Sequence, residues 1–492
     1  MKLLKQLAGE TFIYGMGHIL PRIFHYLVFS TYLTYRFSDN RSEYAIYLDL
    51  YAYASVLVVL FSYRMDTALF RFGSVAGALE STYRNIIIPM IGTSVILVVL
   101  GTLYSEDLAT ILTYPGRAYY IILFSLIIAL DVLALIPLAK LRLESKAKTF
   151  VFFKLLNVAI TVCLVLLFLE IIPSYTDLEL NTVFPFVKSE IDFVFISNLI
   201  ASFFMLLGLI WLNPVKAGKV DMHHWRKMIA YAWPLIIVGI AGSINQFFGV
   251  PLQKYLLGND LDLNKDQAGV YGAVQKIPAL LAMFTTAYNY AAEPFFFRNA
   301  NRKDARQLYG DIALFFIILS GLVVLGIYVY IDLFQFFIGP SFREGLFIVP
   351  FLLIAYLLLG LYYNVSIWYK LSDQTKYGAV IASIGAIITL VLNILLLGKI
   401  GYLASAYAAL ACYLFMVIAA YYIGQIKYPI QYPMLKISII ITLIIGLLFL
   451  GNVLRQESIG YNLVTGTLVL ILYIFLIFQL SRDKLKEYNL IS

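Results

Sequence analysis

Charged residues are scarce in this chain of 492 residues: Asp, Glu, Lys and Arg together make up 13%, against about 25% in soluble globular domains. No long polar segment offers a separate soluble domain. Cysteine is nearly missing. Cys163 and Cys412 both lie inside apolar runs, so free thiols are expected and a disulfide framework is excluded. The four histidines, His18, His25, His223 and His224, have no metal-ligand spacing, and no metal is expected. No glycine-rich nucleotide loop and no acidic or histidine catalytic cluster is visible, so no cofactor is expected and the chain is not read as an enzyme. Strict apolar–polar alternation is also missing, which excludes a transmembrane barrel.

What fills the sequence instead is apolar, at 62% of all residues. A helix needs about 20 apolar residues to cross the hydrocarbon of a bilayer. Fourteen runs qualify, at roughly 10–35, 44–63, 85–104, 118–139, 150–171, 191–212, 228–253, 268–297, 307–331, 346–369, 377–397, 401–425, 435–453 and 461–480. The expected fold class is therefore all-α, a polytopic membrane protein of about 14 transmembrane helices. The net charge of +8 is read through the connecting loops rather than as a nucleic-acid signal. With the N-terminus inside, 25 of the 36 basic residues fall on the cytoplasmic side, 9 fall outside, and Arg22 and Lys276 fall within helices. The inside set includes "KLRLESKAKTFVFFK" (140–154), "KAGKVDMHHWRK" (216–227) and "RNANRKDAR" (298–306). Both termini are expected to be cytoplasmic, as an even helix count requires. The first run is long and interrupted by Pro21-Arg22, so it reads as a retained transmembrane helix rather than a cleaved signal.

A weak internal repeat spans six helices. "SEYAIYLDLYAYASVL" (42–57) aligns with "DQAGVYGAVQKIPALL" (266–281), matching Tyr47 to Tyr271. "KTFVFFKLLN" (148–157) echoes "KYGAVIASIGAIITLVLN" (376–393). An even offset keeps the topology, as in transporters built from two parallel halves. The expected lobes are 1–213 for helices 1–6 and 214–425 for helices 7–12. Residues 426–492 then hold helices 13–14 and a tail.

Ionisable residues inside a membrane are costly and mark interiors or wet cavities. Arg22 falls near the middle of the first run, and both an anion contact and an ion pair with Asp49 or Asp131 are open to it. Lys276 falls about 10 Å from the outer end of the eighth run at the helical rise. It has the choice of snorkelling outward or lining a cavity beside Pro278. Glu293 lies about 26 Å further along the same run. It reads as a boundary ion pair, a gate contact or an ion-coupling group. Asp131 is deeper and is the better coupling candidate, while Asp49 and Asp311 read as shallow interface residues. Asn157, Asn245, Gln246, Asn289 and Asn393 are amides that glue helices or touch sugar. Most of the 38 tyrosines read as interfacial belts. Tyr47, Tyr271, Tyr288 and Tyr290 are candidates for a cavity wall.

The segments "LKQLAGETFIYGMGHILPRIFHYLVFSTYLTYRF", "PLAKLRLESKAKTFVFFKLLN" (137–157), "GVYGAVQKIPALLAMFTTAYNYAAEPFFF" (269–297) and "DQTKYGAVIASIGAIITLVLNILLL" (373–397) carry a resemblance. They resemble the polysaccharide transporter family, the oligosaccharide-lipid flippases of the multidrug/oligosaccharidyl-lipid/polysaccharide (MOP) exporter superfamily. One departure is "PLQKYLLG" (251–258), where Gln253 and Lys254 stand at the place of a family Asp–basic pair. The resemblance implies two pseudo-symmetric six-helix lobes around a central cavity, plus two C-terminal helices. It implies movement of a polyprenyl-diphosphate-linked oligosaccharide, such as an O-antigen or capsule precursor, across a bacterial cytoplasmic membrane by alternating access. Substrate contacts are expected at Arg22, Lys276, Asn245, Tyr271 and Asn289, and ion coupling at Asp131, Glu293 and Asp49. The expected partners are the lipid-linked oligosaccharide, membrane lipids, H+ or Na+ as coupling ion and other polysaccharide-assembly membrane proteins, with no nucleic acid. The alternatives are a cation-coupled multidrug or metabolite antiporter of the same superfamily and a membrane polysaccharide polymerase or ligase.

Overall fold

The structure is a computed structural model. It describes residues 29–75, 77–144, 146–175, 185, 187–372 and 374–487. Arg22 and the side chain of Tyr290 lie outside the described set. The described residues are almost entirely helical and include no strand. Among the described residues, twelve helices are long and apolar enough to cross a membrane, from Arg41–Gly73 to Ile459–Leu480. Two expected spans are not among them. The first run is described only from residue 29, with a helix at Ser30–Arg36. The eighth is not one helix but two, Leu261–Val274 and Lys276–Arg298, meeting at Gln275. Pro278 explains the break: proline lacks the N–H that would bond to the carbonyl of residue 274 and crowds the preceding turn.

Two further departures come from short amphipathic pieces. Met65–Gly73 follows the second span, with Met65, Ala68 and Leu69 buried. Ser105–Ile111 follows the third. Both are too short to register as membrane runs. The chain enters the first of them through Tyr63 and Arg64, whose φ values of 50° and 52° are left-handed. Several spans carry proline inside, at Pro89, Pro137 and Pro234. Proline is tolerated within a membrane bundle, where neighbouring groups satisfy the freed carbonyls. Helix starts follow ordinary capping chemistry. Asp260 accepts from the N–H groups of Asp262 and Leu263, and Ser189 with Asp192 forms a capping box at the head of Glu190–Leu212.

Packing divides the chain into two compact units. One is the described part of Met1–Leu48 with Ile244–Ser492; the other is Asp49–Ser243. The division falls inside the helices Arg41–Ser62 and Met222–Phe247. It is a division by packing, whereas the expected lobes follow an internal repeat. In the first unit, residues 34–41 pack backbone to backbone against the loop before the tenth span. A Cβ on Gly339 would lie 2.0 Å from the Thr34 carbonyl oxygen, so only glycine fits there. Val349–Val365, Lys376–Ile400 and Leu403–Lys427 pack tightly together behind it. In the second unit, Ala118–Leu143 is the central helix, flanked by Leu79–Leu103, Ala147–Leu166 and Glu190–Leu212.

Candidate functional site

Lys276 opens the helix below the break, and the sequence places nothing charged beside it. Its ammonium donates to the backbone carbonyl oxygen of Ser30 at 2.7 Å and sits 4.5 Å from the ring centre of Tyr44. Among the described residues no carboxylate forms an ion pair with it. The group is therefore tied to the protein by these two contacts. Gln275, the joint residue, donates to the Gln246 carbonyl oxygen at 3.1 Å and to the Tyr356 hydroxyl at 3.0 Å. Tyr271 is buried one turn above, so close to Gly249 that a Cβ there would come within 2.7 Å of the ring.

Above this cation the same unit is closed by an ionic clasp. Arg41 makes a two-pronged contact with Asp266, one arm at 2.8 Å, and reaches Glu344 at 2.7 Å and the Ser341 carbonyl oxygen at 3.0 Å. Ser38 and Ser341 face one another, with hydroxyls 2.9 Å apart. At the far end of Lys276–Arg298, Glu293 pairs with Lys370 at 2.9 Å, both partly exposed. The boundary pair is thus the arrangement found for Glu293. Between these ends, Tyr288 donates to the Asn364 side-chain oxygen at 2.5 Å. Asn289 lies beside it, partly buried.

Asn245 belongs to an uncharged network in this unit. Gln253 donates to the Ser405 hydroxyl at 2.8 Å, and Ser405 to the Asn393 side-chain oxygen at 2.6 Å. Asn393 donates to the Thr389 carbonyl oxygen at 2.7 Å, and the Thr389 hydroxyl to the Asn245 side-chain oxygen at 2.9 Å. Gln253, Asn393, Ser405 and Thr389 are all buried. Gln253 stands where the resemblance placed an aspartate, and an amide network occupies the position.

The second unit holds the remaining candidates. Asp131 accepts from the Ser202 hydroxyl at 2.8 Å. Ser202 also lies 3.3 Å from the Asn198 side-chain oxygen, and Asn198 donates to the Tyr51 hydroxyl. Lys154 acts on Asp131 electrostatically. The basic tally assigned Lys154 to an inside loop; the structure puts it two turns into the helix Ala147–Leu166. Asp49 is buried by the protein and accepts from the Tyr114 hydroxyl at 2.7 Å. Asp311 is buried too. Each sits near a helix end, where sequence depth alone misjudges how much neighbouring chain covers it. At the start of Glu190–Leu212, buried Asp192 accepts from Tyr119 and Tyr120 at 2.7 and 2.8 Å and from the Lys188 N–H at 2.8 Å.

No protein-family model matches the sequence, and no curated protein matches it. Solved structures do match. The lipid II flippase MurJ in an inward closed conformation overlays 96% of this chain and 99% of its own, with a TM-score of 0.68 and 15% identity. A MATE in complex with MaD3S overlays 89% of this chain and 96% of its own at a TM-score of 0.57 and 12% identity. This is the MOP-exporter fold. A MOP-superfamily transporter from Pyrococcus furiosus also overlays 89% of this chain and 96% of its own, at 0.56 and 13% identity.

The MOP-exporter fold agrees with the expected class, an all-α polytopic membrane protein. Within it, the structure groups Lys276, Gln275 and Tyr271 about one helix joint, and sets Asn245 and Asp131 in separate units. Sequence reasoning missed Lys154, Ser202, Asn198, Tyr51 and Gln275. Lys154 was legible in part, because "KLLN" places a lysine one turn before an asparagine within an apolar run. Single serines and tyrosines in such runs carry no comparable signal.

Proposed function

We propose that this protein is a flippase that carries a polyprenyl-diphosphate-linked oligosaccharide from the inner to the outer leaflet of a bacterial cytoplasmic membrane by alternating access. The observation that carries this reading is Lys276: an ammonium held by a carbonyl oxygen and an aromatic face rather than by a carboxylate. A cation whose protein partners are neutral keeps its charge available, and a diphosphate is a ligand that offsets its burial. Arg22 is proposed to act with it, and Asn245, Tyr271 and Asn289 to meet the headgroup or sugar. The lobes are proposed at 1–213 and 214–425, with 426–492 as two added helices, and both termini on the cytoplasmic side. The lipid tail remains in the bilayer while the headgroup crosses. An inside-negative potential assists an anion outward by about 2.3 kcal/mol per charge per 100 mV.

A second reading has one observation in its favour. Asp131 is a carboxylate within the membrane interior of the second unit, as an antiporter of cationic cargo requires. The Pyrococcus furiosus transporter is described by the reversed polarity of its binding pocket, which suggests a different function for it. Polarity likewise decides between the two readings here. Reconstituted in liposomes, the protein is expected to expose a fluorescent polyprenyl-diphosphate oligosaccharide to an external quencher, and Lys276→Arg to retain more of that activity than Lys276→Ala. Transport of an organic cation with no movement of the lipid-linked sugar sinks the flippase reading in favour of the antiporter.

A further inference from the structure

The corner formed by residues 30–48 is fastened to the rest of its unit by a line of polar contacts. It consists of the helix Ser30–Arg36, a turn, and the start of Arg41–Ser62. Its seat is made of residues 266–276 and 336–344. Arg41 reaches Asp266, Glu344 and the Ser341 carbonyl oxygen. The Ser341 hydroxyl donates to the Ser38 carbonyl oxygen at 2.5 Å. Tyr35 donates to the Phe336 carbonyl oxygen at 3.1 Å and accepts from Arg343 at 3.0 Å. Glycine lets the backbones meet a second time: a Cβ on Gly269 would lie 2.5 Å from the Arg41 carbonyl oxygen. Tyr44 adds an edge-to-face contact with Phe342, ring centres 5.4 Å apart. Arg41, Asp266 and Glu344 are partly exposed. Polar contacts within reach of water exchange protein partners for water at small net cost, so a seam of this kind can part and close again.

Lys276 ties both arms of the corner at one point. Its ammonium donates to the Ser30 carbonyl oxygen on the first arm and lies over the Tyr44 ring on the second. Both partners are neutral. The carboxylates of the seam, Asp266 and Glu344, are engaged by Arg41. A hydrogen bond from an ammonium to an anionic oxygen is stronger than one to a neutral carbonyl, and a tyrosine ring attracts a cation only through its quadrupole. An ammonium has three donors but a single charge. An anion that approaches it therefore weakens its pull on the ring and the carbonyl even before either is displaced.

We propose that the corner 30–48 and an anionic headgroup are alternative partners of Lys276. With no anion bound, the ammonium helps to hold the corner in its seat. A diphosphate on Lys276 loosens the corner, and a loosened corner presents the ammonium to the diphosphate. The two effects are equal in size, because coupling of this kind is reciprocal. The identity of the anion rests on the flippase reading; the competition itself does not. By the proposed lobes the corner belongs to the first half and its seat to the second, so on the proposed orientation its release opens the outward path.

Ser38 and Ser341 provide the reporter. Their hydroxyls lie 2.9 Å apart, so a Ser38→Cys, Ser341→Cys pair closes a disulfide only while the corner is seated. Oxidation of this double variant in detergent by diamide, read by peptide mass spectrometry, is timed with farnesyl diphosphate and with farnesol as the uncharged control. The expected result is a severalfold slower cross-link with the diphosphate and no change with farnesol. Lys276→Gln, which keeps an N–H donor for Ser30 without the charge, is expected to cross-link in the same background and to ignore the diphosphate; Lys276→Arg is expected to respond. Equal rates with and without the diphosphate overturn the competition. Slowing that survives Lys276→Gln overturns the role of Lys276. In liposomes, the cross-linked protein is expected to lose flipping of a fluorescent polyprenyl-diphosphate oligosaccharide and to regain it on reduction. Flipping that persists with the disulfide complete overturns release of the corner as a step in transport. A diphosphate response with no flipping by the uncross-linked protein leaves the competition standing and removes the flippase reading.

Discussion

The two packing units solve the same problem with different chemistry. Each must bury polar groups among membrane helices, where an unsatisfied donor or acceptor is costly. In the unit containing Ile244–Ser492, the chain from Gln253 through Ser405, Asn393 and Thr389 to Asn245 is built only from amides, hydroxyls and a carbonyl. Its leftover acceptor, Gln253 Oε1, is buried without a donor among the described residues, and an amide does not take up a proton at ordinary pH. In the unit Asp49–Ser243, the chain from Tyr51 through Asn198 and Ser202 ends on a carboxylate, Asp131. The first network holds no ionisable group; the second ends on one. A pH change can therefore act directly on the second and not on the first.

Removing the ammonium outside both networks gives the largest expected effect. Lys276→Ala is expected to lower flipping on the order of a hundredfold, the scale at which truncating a buried charge contact costs about 2–5 kcal/mol. Membrane insertion should be unchanged. An equal rate for a well-expressed Lys276→Ala protein, measured in liposomes, would remove this residue from the transport path. Next, Ser405→Ala breaks the uncharged network, removing the acceptor of the Gln253 amide N–H and the donor to the Asn393 side-chain oxygen. Thermal unfolding in detergent should show a loss of about 1–3 kcal/mol that does not vary with pH. A pH-dependent loss would erase the contrast between the units.

Much of this contrast is absent from the sequence, although the frame around it is plain. The apolar runs mark where helices form because membrane thickness dictates about 20 residues each. Twelve such helices stand among the described residues. Asp131 and Lys276 are visible as charges out of place, so their importance is legible in the residue pattern alone. Their partners are not. The neighbour of Lys276 is a backbone carbonyl at Ser30, which no side-chain pattern encodes. Ser202 looks like any serine in a run of leucine and phenylalanine until folding sets it against Asp131. Depth along one helix also says nothing of cover from others, which is why Asp49 and Asp311 turn out buried.

Smaller effects sharpen the comparison further. Gly339→Ala drives a Cβ to within 2.0 Å of the Thr34 oxygen, and overpacking of this kind typically costs about 1–3 kcal/mol. A lowered unfolding midpoint checks it. A double-mutant cycle on Arg41 and Asp266 is expected to return no more than about 1 kcal/mol, because the pair is partly exposed and screened. The smallest effect belongs to Asp221, just before the helix Met222–Phe247 in the second unit. Its carboxylate accepts from the His224 and His223 N–H groups, which hold it below the usual carboxylate range. The stabilisation is complete above the ordinary aspartate value near 4 and fades as pH falls through the lower folded value. Asp221→Ala should therefore narrow the difference in melting between neutral and acid buffer, with little change otherwise.

The discontinuity at Gln275 has a mechanical consequence. Asp266, which grips Arg41, belongs to the piece before the joint, and Lys276 is the first residue of the piece after it. Proline at 278 leaves the ladder of backbone hydrogen bonds one bond short between the two pieces. That makes the joint the weakest link between the Arg41–Asp266 contact and the ammonium, and the place where strain from one side would be absorbed before reaching the other.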